Sequence, residues 1–561
     1  MSFPHLVRFA KAKVFYKKPL DIFEDEYAKD QLGRNYGFWS LVSIGLGGTI
    51  GSGVFVLSGE VASTTAGPAS SLSYLIAGFI CTITALSYGE LSAILLCPGG
   101  VYNYSYYALG EMYALVAAWM ITLSYGVSGS AVCRSWGDKL SYWVVANEWV
   151  EPDAHGNTWI NSLGGSIVNP GALFISVVTL IPVLSGIKIA KDVVNALVIL
   201  KVGLVLFVIF AGAAYASAEN LIPFVPPPHT LHNGTYDGDF EGGANGVFIG
   251  AIMCFFAMIG FDETAAMTAD ARNPKRDIPL AIVAVISITT VLYVAAAVVL
   301  TGMVPYDQLD HSEGFGSAFK AVGALWAMQI TVIGEIIVLP TVTLVCYIVQ
   351  LRVNFAASRD GHLPPIFARL NSRGVLFQGG LITGTILTLV AAFVDFKYLN
   401  DLISAGVLLS FIMANASLVQ ARTEFKSGLE TFLIVLLSAI LGLLINKTDL
   451  ENNMAAFSFT LIVSFSILAI NCWMLYKYDF TSTSPTFAVP FVPVLPTFSI
   501  FINWFLMTQL SWVGLFSLVG YTLLAFVCYF AYGFCNSKKF VKSEVSAQQV
   551  EDSFISDSLR I

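Results

Sequence analysis

Apolar positions run along this chain in long uninterrupted blocks rather than in the alternation of strands or the stripes of surface helices. A hydrocarbon core about 30 Å thick takes roughly 20 apolar residues of helix to cross. Blocks of that order recur at 38–58, 70–96, 104–136, 171–187, 193–217, 245–269, 279–303 and 321–357. Six more follow at 376–394, 400–421, 429–446, 455–476, 490–508 and 511–534, which predicts fourteen membrane helices. The pattern divides into a polar segment 1–36, a ten-helix core 37–421, four additional helices over 422–535 and a polar tail 536–561.

Two of these blocks are poor helices. The first contains Gly45-Leu-Gly-Gly-Thr-Ile-Gly-Ser-Gly-Val-Phe55, five glycines in eleven residues, each costing a helix interior about 1 kcal/mol relative to alanine. The sixth reads Phe255-Phe-Ala-Met-Ile-Gly-Phe-Asp262, with Gly260 in mid-block and Glu263 straight after Asp262. Irregular backbone at membrane depth is tolerated only where protein or a water-filled cavity covers it. Interruptions at corresponding places in two halves therefore point to an inverted repeat with a binding site near the bilayer mid-plane. The expected fold is an all-α polytopic membrane protein, a five-plus-five inverted repeat followed by four C-terminal helices.

Composition changes this picture little: 56% hydrophobic and 12% charged residues exclude a string of soluble domains, and nothing suggests a nucleic-acid partner. Charge adds orientation. With segment 1–36 inside, 23 of the 29 Lys and Arg fall in inner segments, five at outer ends and loops, and Lys201 alone within a helix. Positive charge accumulates on the cytoplasmic side, so both termini are expected there. The eight cysteines lie in or beside apolar blocks, so neither a disulfide framework nor a metal site is expected. Residues 1–36 lack the short apolar core and small-residue cleavage site of a signal peptide. Asn233-Gly-Thr235 and Asn446-Lys-Thr448 are sequons at outer positions, and Asn233 is the candidate glycosylation site.

Ionisable residues inside spans are functional hypotheses by default. Here they are Glu90, Glu111, Lys201, Asp262, Glu263 and Glu335, with Arg134 and Arg352 nearer helix ends. Lys201, about a third of the way along its block, either snorkels to the interface or is a cation whose protonation follows a cycle. Glu90 and Glu111 bracket Pro98-Gly-Gly100 and are suited to ending helices at the inner interface. Glu263 and Glu335 either present negative charge to a cationic ligand or hydrogen-bond a neighbouring helix. All six histidines lie outside the blocks. No nucleotide-binding loop and no cofactor motif is present.

The run GLGGTIGSGVFVLSGEVA from Gly45 to Ala62 resembles the first helix of the amino acid, polyamine and organocation permeases, its ending that of the cationic amino acid transporter subfamily. Gly110-Glu111, Leu123-Ser-Tyr125, Gly260-Phe-Asp262, Arg272-Asn-Pro274, Ile278-Pro279, Arg352-Val353, Arg359-Asp-Gly361 and Tyr529-Phe-Ala-Tyr-Gly533 agree, so the resemblance covers about residues 35 to 535. It implies a leucine-transporter-like core in which an α-carboxylate is held by backbone amides over Thr49, Ile50, Gly51, Ser52 and Gly53, and an α-ammonium by carbonyls of Phe256, Ala257 and Ile259. Lys201 matches a fifth-helix lysine that proton-coupled relatives carry where others bind sodium. The chain departs from its relatives at Ala269, where many have an acid, and at Glu263 and Glu335, where small residues are usual.

The expected function is alternating-access transport of L-amino acids, cationic ones (arginine, lysine, ornithine) above all, with Glu263 among the substrate groups and Lys201 for coupling to protons. A broad or neutral amino acid permease and a transporter-like sensor are the alternatives. Loop 137–170 has no cysteine, and no obligate glycoprotein subunit is expected. By the resemblance the plasma membrane is the default location, with lysosomal or vacuolar relatives sharing the same core.

Overall fold

The computed structural model describes residues 13–29, 34–51, 53–152, 158–163, 166–230, 240–309, 314–372, 374–394, 396–448, 453–481 and 486–537. Ser52 and Asn233 lie outside them. Among the described residues the chain is helical apart from one isolated bridge between Tyr36 and Ala271. Ten helical stretches are long and apolar enough to cross a membrane, and four shorter apolar helices, Phe38–Thr49, Pro170–Ser185, Phe377–Phe393 and Val494–Gln509, accompany them.

Both glycine-bearing blocks are broken. The first divides into Phe38–Thr49 and Gly53–Val61, the second into Gly243–Ala257 and Asp262–Ala266. These two helices lie side by side and run in opposite directions. At one end Tyr36 N–H donates to the Asp270 carbonyl (3.1 Å) and Arg272 N–H to the Tyr36 carbonyl (2.9 Å). At the other, Glu241 and Gly242 N–H donate to the carbonyls of Thr64 and Thr65 (3.2 and 2.9 Å).

Further pairs repeat the inversion. Ser70–Ile94 packs along Pro274–Met303, with Gly78 facing Thr290 and Gly89 facing Pro279. The helix from Glu111 meets that from Leu325 in the same sense: Gln350 Nε2 donates to Thr122 Oγ1 (3.1 Å), Gly129 faces Cys346, and Trp136 Nε1 donates to the Ile336 carbonyl (2.7 Å). Pro170–Ser185 meets Phe377–Phe393 through Leu180 on Gly384, Leu184 on Gly380 and Ser176 Oγ on Thr388 Oγ1 (2.7 Å). In each pair one residue number rises as the other falls. Four successive helices thus meet, antiparallel, the helices five places on, the arrangement of an inverted repeat. Glycines let the backbones approach, as is common where lipid removes the hydrophobic drive between helices.

The outer faces are apolar: Phe79 is 67% exposed, Phe210 72% and Tyr476 86%. Met454–Lys477 buries only Val463, Asn471 and Met474. A soluble protein does not expose such a continuous apolar surface; in a bilayer it is the lipid face.

The C-terminal helices join the core through polar seams. Thr84 Oγ1 meets Ser499 Oγ (2.7 Å), Asn415 Nδ2 donates to that same oxygen (3.0 Å), and Ser87 donates to Asn415 Oδ1 (2.8 Å). Nearer the helix ends, Arg422 clasps buried Glu90 with Nε and Nη2 (2.6 and 2.8 Å), and Val489 N–H donates to the same carboxylate (2.6 Å). Glu90 lies near the end of its helix, as expected, and is also half of a buried ion pair. Removing one partner of such a pair strands a charge and costs about 3–5 kcal/mol, whereas replacing both is often nearly neutral. Arg422→Ala is therefore expected to lower the melting temperature in detergent well below that of the double variant Glu90→Leu/Arg422→Met, a comparison that thermal unfolding of purified protein checks.

Candidate functional site

A broken helix leaves backbone groups without intrahelical partners at each cut end, donors at the new N-terminus and acceptors at the new C-terminus. At the cut end of Phe38–Thr49, side chains from other helices supply partners. Lys201 Nζ, on Ile187–Ala213, donates to the Gly47 carbonyl (2.9 Å), and Tyr293 Oη, on Pro274–Met303, donates to the Thr49 carbonyl (3.1 Å). Lys201 is 1% exposed. It does not snorkel; its ammonium is held at the break.

The amides of Ile50 and Gly51 turn back onto the Leu46 and Thr49 carbonyls (3.0 and 2.9 Å). Among the described residues of the stretch expected to present donors, this leaves Gly53 and the amides after it, at the N-terminus of Gly53–Val61, where the helix dipole adds partial positive charge. Thr49 Oγ1 is buried without a hydrogen-bond partner among the described residues.

The second break lies against the first. Gly260 has φ +124°, and a Cβ there would stand 2.6 Å from Thr49 N and 2.7 Å from the Gly48 carbonyl carbon. Only glycine combines that backbone conformation with that approach. A Cβ on Gly53 would stand 2.8 Å from that of Ala257. Met258 and Ile259 amides bond to the carbonyls of Phe255 and Phe256 (3.0 and 3.4 Å), so the Phe256 carbonyl, expected as a ligand, already accepts within the turn. Among the described residues no turn hydrogen bond takes the carbonyls of Ala257 and Ile259.

A tight crevice, with no room for a water molecule, adjoins the first break and is lined by Ile50, Gly51, Phe55, Lys201, Glu335, Val338 and Leu339. Its lining includes one basic side chain, Lys201, and one acidic side chain, Glu335. Glu335 is ion-paired to Lys139. Glu263 is not among the lining residues: its carboxylate fills the space beside Gly48, accepts from Cys346 Sγ (3.5 Å) and interacts electrostatically with Lys201. Asp262 points elsewhere and accepts from Tyr125 Oη (2.6 Å), which stands on the π-helical turn Leu123–Val127. Sequence reasoning assigned no role to Tyr293, Tyr125 or Lys139. A tyrosine in an apolar block carries no mark of its partner, whereas the LSY motif was visible without its purpose.

A polar network closes the side of the molecule that carries both described chain ends. Lys18, buried, bonds Glu26 and Asp360 (2.8 and 2.9 Å); Tyr102 Oη donates to Asp360 (2.8 Å). Glu111 accepts from Tyr106, Tyr529 and Ser537 (3.0, 3.0 and 2.7 Å). Burial pulls the Lys18 ammonium down, but the Asp360 and Glu26 carboxylates outweigh it and hold its pKa above the ordinary 10.5. A raised value means that the stabilisation from the lysine is complete below the ordinary lysine range and fades only above it, so the Lys18 ammonium is charged at neutral pH. On the opposite side Gly314 rests on the Phe55 carbonyl, at the start of the short helix Phe315–Ala321.

Residues 36–446 match the family model of the amino acid permeases, and residues 487–537 match that for the permease C-terminus. The chain belongs to the amino acid permease family. It is 32% identical to the methylthioribose transporter of Bacillus subtilis over 74% of this chain and 86% of that one. It is 33% identical to the mitochondrial cationic amino acid transporter 3 of Arabidopsis thaliana over 71% of this chain and 64% of that one. The branched-chain amino acid permease BcaP of Bacillus subtilis matches at 28% over 94% and 99% of the two chains. This permease is therefore a multi-pass membrane transporter, not an enzyme, and its helical inverted-repeat architecture agrees with the family.

The contact between the breaks generates a prediction. Gly53→Val would push the two permease half-helices apart while leaving every apolar block intact. Displacements of about 1 Å in a positioned site cost about a hundredfold, so substrate binding is expected to fall by that order with membrane insertion unchanged. Scintillation-proximity binding on monodisperse protein checks it.

Proposed function

We propose that this permease is a secondary transporter of L-amino acids, with cationic side chains preferred, working by alternating access around the two breaks. The observation that carries the reading is the close apposition of the two antiparallel interruptions, Gly260 on Gly48–Thr49 and Gly53 on Ala257. One presents helix N-terminal amides and the other unclaimed carbonyls, the complement of a zwitterion. Among the residues expected to bind substrate, the Gly53 amide and the Thr49 hydroxyl would supply the carboxylate end and the Ala257 and Ile259 carbonyls the ammonium end, whereas the Ile50 and Gly51 amides are engaged within the turn. Glu263 stands with Lys201 behind the break, a position better suited to coupling than to ligand contact. The names of several relatives, cationic amino acid transporters among them, and the acid lining the crevice favour cationic substrates.

In this reading the chain makes fourteen crossings, with both termini in the cytoplasm, and its partners are the amino acid, the bilayer and protons. The substrate test is uptake of labelled arginine and leucine into liposomes holding purified protein. Arginine is expected to enter faster; equal rates, or leucine alone, would sink the cationic preference.

Coupling is tested separately. Lys201 holds the Gly47 carbonyl, so loss or gain of its proton changes how firmly the inner half-helix is tied. Lys201→Ala is expected to abolish stimulation of uptake by an inward proton gradient while substrate exchange persists. A cationic substrate also accumulates electrically, by about 2.3 kcal/mol per charge per 100 mV. The measurement is therefore made with the membrane potential clamped, and undiminished pH stimulation would remove Lys201 from the coupling step.

A further inference from the structure

The role of Glu335 is settled by neither the breaks nor the coupling lysine. It lies on Leu325–Val338, one turn before the helix bends into Pro340–Asp360, and its side chain is 4% exposed. It lines the same tight crevice as Ile50 and Gly51. A carboxylate at such depth needs a partner, and a buried pair gains little net stability over an apolar one.

Its partner is unequal to it. Lys139 belongs to Ser128–Ala146, and its side chain is 24% exposed where that of Glu335 is 4%. The two helices are clamped on either side of the pair: Trp136 Nε1 donates to the Ile336 carbonyl (2.7 Å) and Trp143 Nε1 to Gln329 Oε1 (3.2 Å). Positions 136, 139 and 143 share one helix face. Rigid backbones thus bring a long, partly exposed lysine onto a sequestered acid. Lys201, the other charged group on the crevice, is already engaged by Gly47, while Asp138 beside Lys139 accepts from Asn169 Nδ2 (3.1 Å). The Glu335–Lys139 pair thus adjoins the Ile50–Gly51 segment of the first break through Glu335.

We infer that Lys139 is a built-in stand-in for the substrate: a cationic amino-acid side chain displaces its ammonium from Glu335, and Glu335 is the residue that selects for positive charge. The inference rests on the amino acid reading above. An incoming guanidinium or ammonium exchanges one ion pair for another at the crevice, while Lys139 withdraws toward its exposed side. A neutral side chain offers Glu335 nothing in exchange, and the Lys139 contact persists. Selectivity then comes from competition as well as attraction, since the internal lysine is tethered at constant effective concentration.

The experiment compares wild type with Lys139→Gln, Glu335→Gln and the exchanged pair Lys139→Glu/Glu335→Lys in liposomes, measuring KM for arginine, leucine and glutamate. Lys139→Gln is expected to lower the arginine KM severalfold with leucine unchanged. Glu335→Gln is expected to raise the arginine KM about tenfold, the scale of one lost hydrogen bond to a charged group, and to erase the preference over leucine. The exchanged pair keeps the ion pair and therefore the fold; it should admit glutamate and reject arginine. A wild type that prefers arginine, with Glu335→Gln retaining that preference or the exchanged pair still taking arginine, would overturn the assignment and leave the transport reading standing. A wild type with no preference for arginine would instead overturn the cationic reading itself.

Discussion

The architecture depends on unpaired backbone at membrane depth. Cutting a helix inside a bilayer leaves donors and acceptors that lipid cannot satisfy, so everything near the cut is arranged to supply partners. Lys201 and Tyr293 cap carbonyls of one half-helix, and the turn at Met258–Gly260 closes part of the other. The two cuts then cover each other, which is possible only because Gly48, Gly53 and Gly260 carry no side chains. The cost of glycine in a helix is offset by the burial of an irregular segment that no other environment would accept.

Much of this was legible in the sequence because it follows from local rules. Apolar block length marked the spans, glycine density marked the first break, and Gly260 ahead of two acids marked the second. A lone lysine in an apolar block marked Lys201, though only the structure shows that it reaches a carbonyl rather than the interface. What was not legible depends on which helices become neighbours. Glu263 and Glu335 look alike in sequence, two acids in apolar surroundings, yet one lies behind the break against Cys346 and the other on the crevice against Lys139. Glu90 and Glu111 do stand near helix ends, as read, but the sequence could not show that each organises a buried network with partners more than 300 residues away. The sequence pattern shows that a charge is buried; its meaning is set by tertiary packing.

The repeat explains why so few specific contacts position the site. Antiparallel pairing of helices five places apart puts the same step of the chain on both sides of the mid-plane. The breaks therefore fall at one depth without any loop having to place them. Long-range hydrogen bonds such as Trp136 to Ile336 and Ser176 to Thr388 tie the surrounding helices together.

The short backbone bridge between Tyr36 and Ala271 carries a mechanical consequence. It joins the outermost ends of Phe38–Thr49 and Asp262–Ala266, the two half-helices on the face that carries both described chain ends. Their other ends already touch where Gly260 meets Thr49. The two segments are thus in contact at both extremities, so a displacement of one bears directly on the other. The Gly53 amide and the Ala257 carbonyl belong to the other two half-helices, so these proposed ligand groups and the tied segments lie on opposite sides of the breaks.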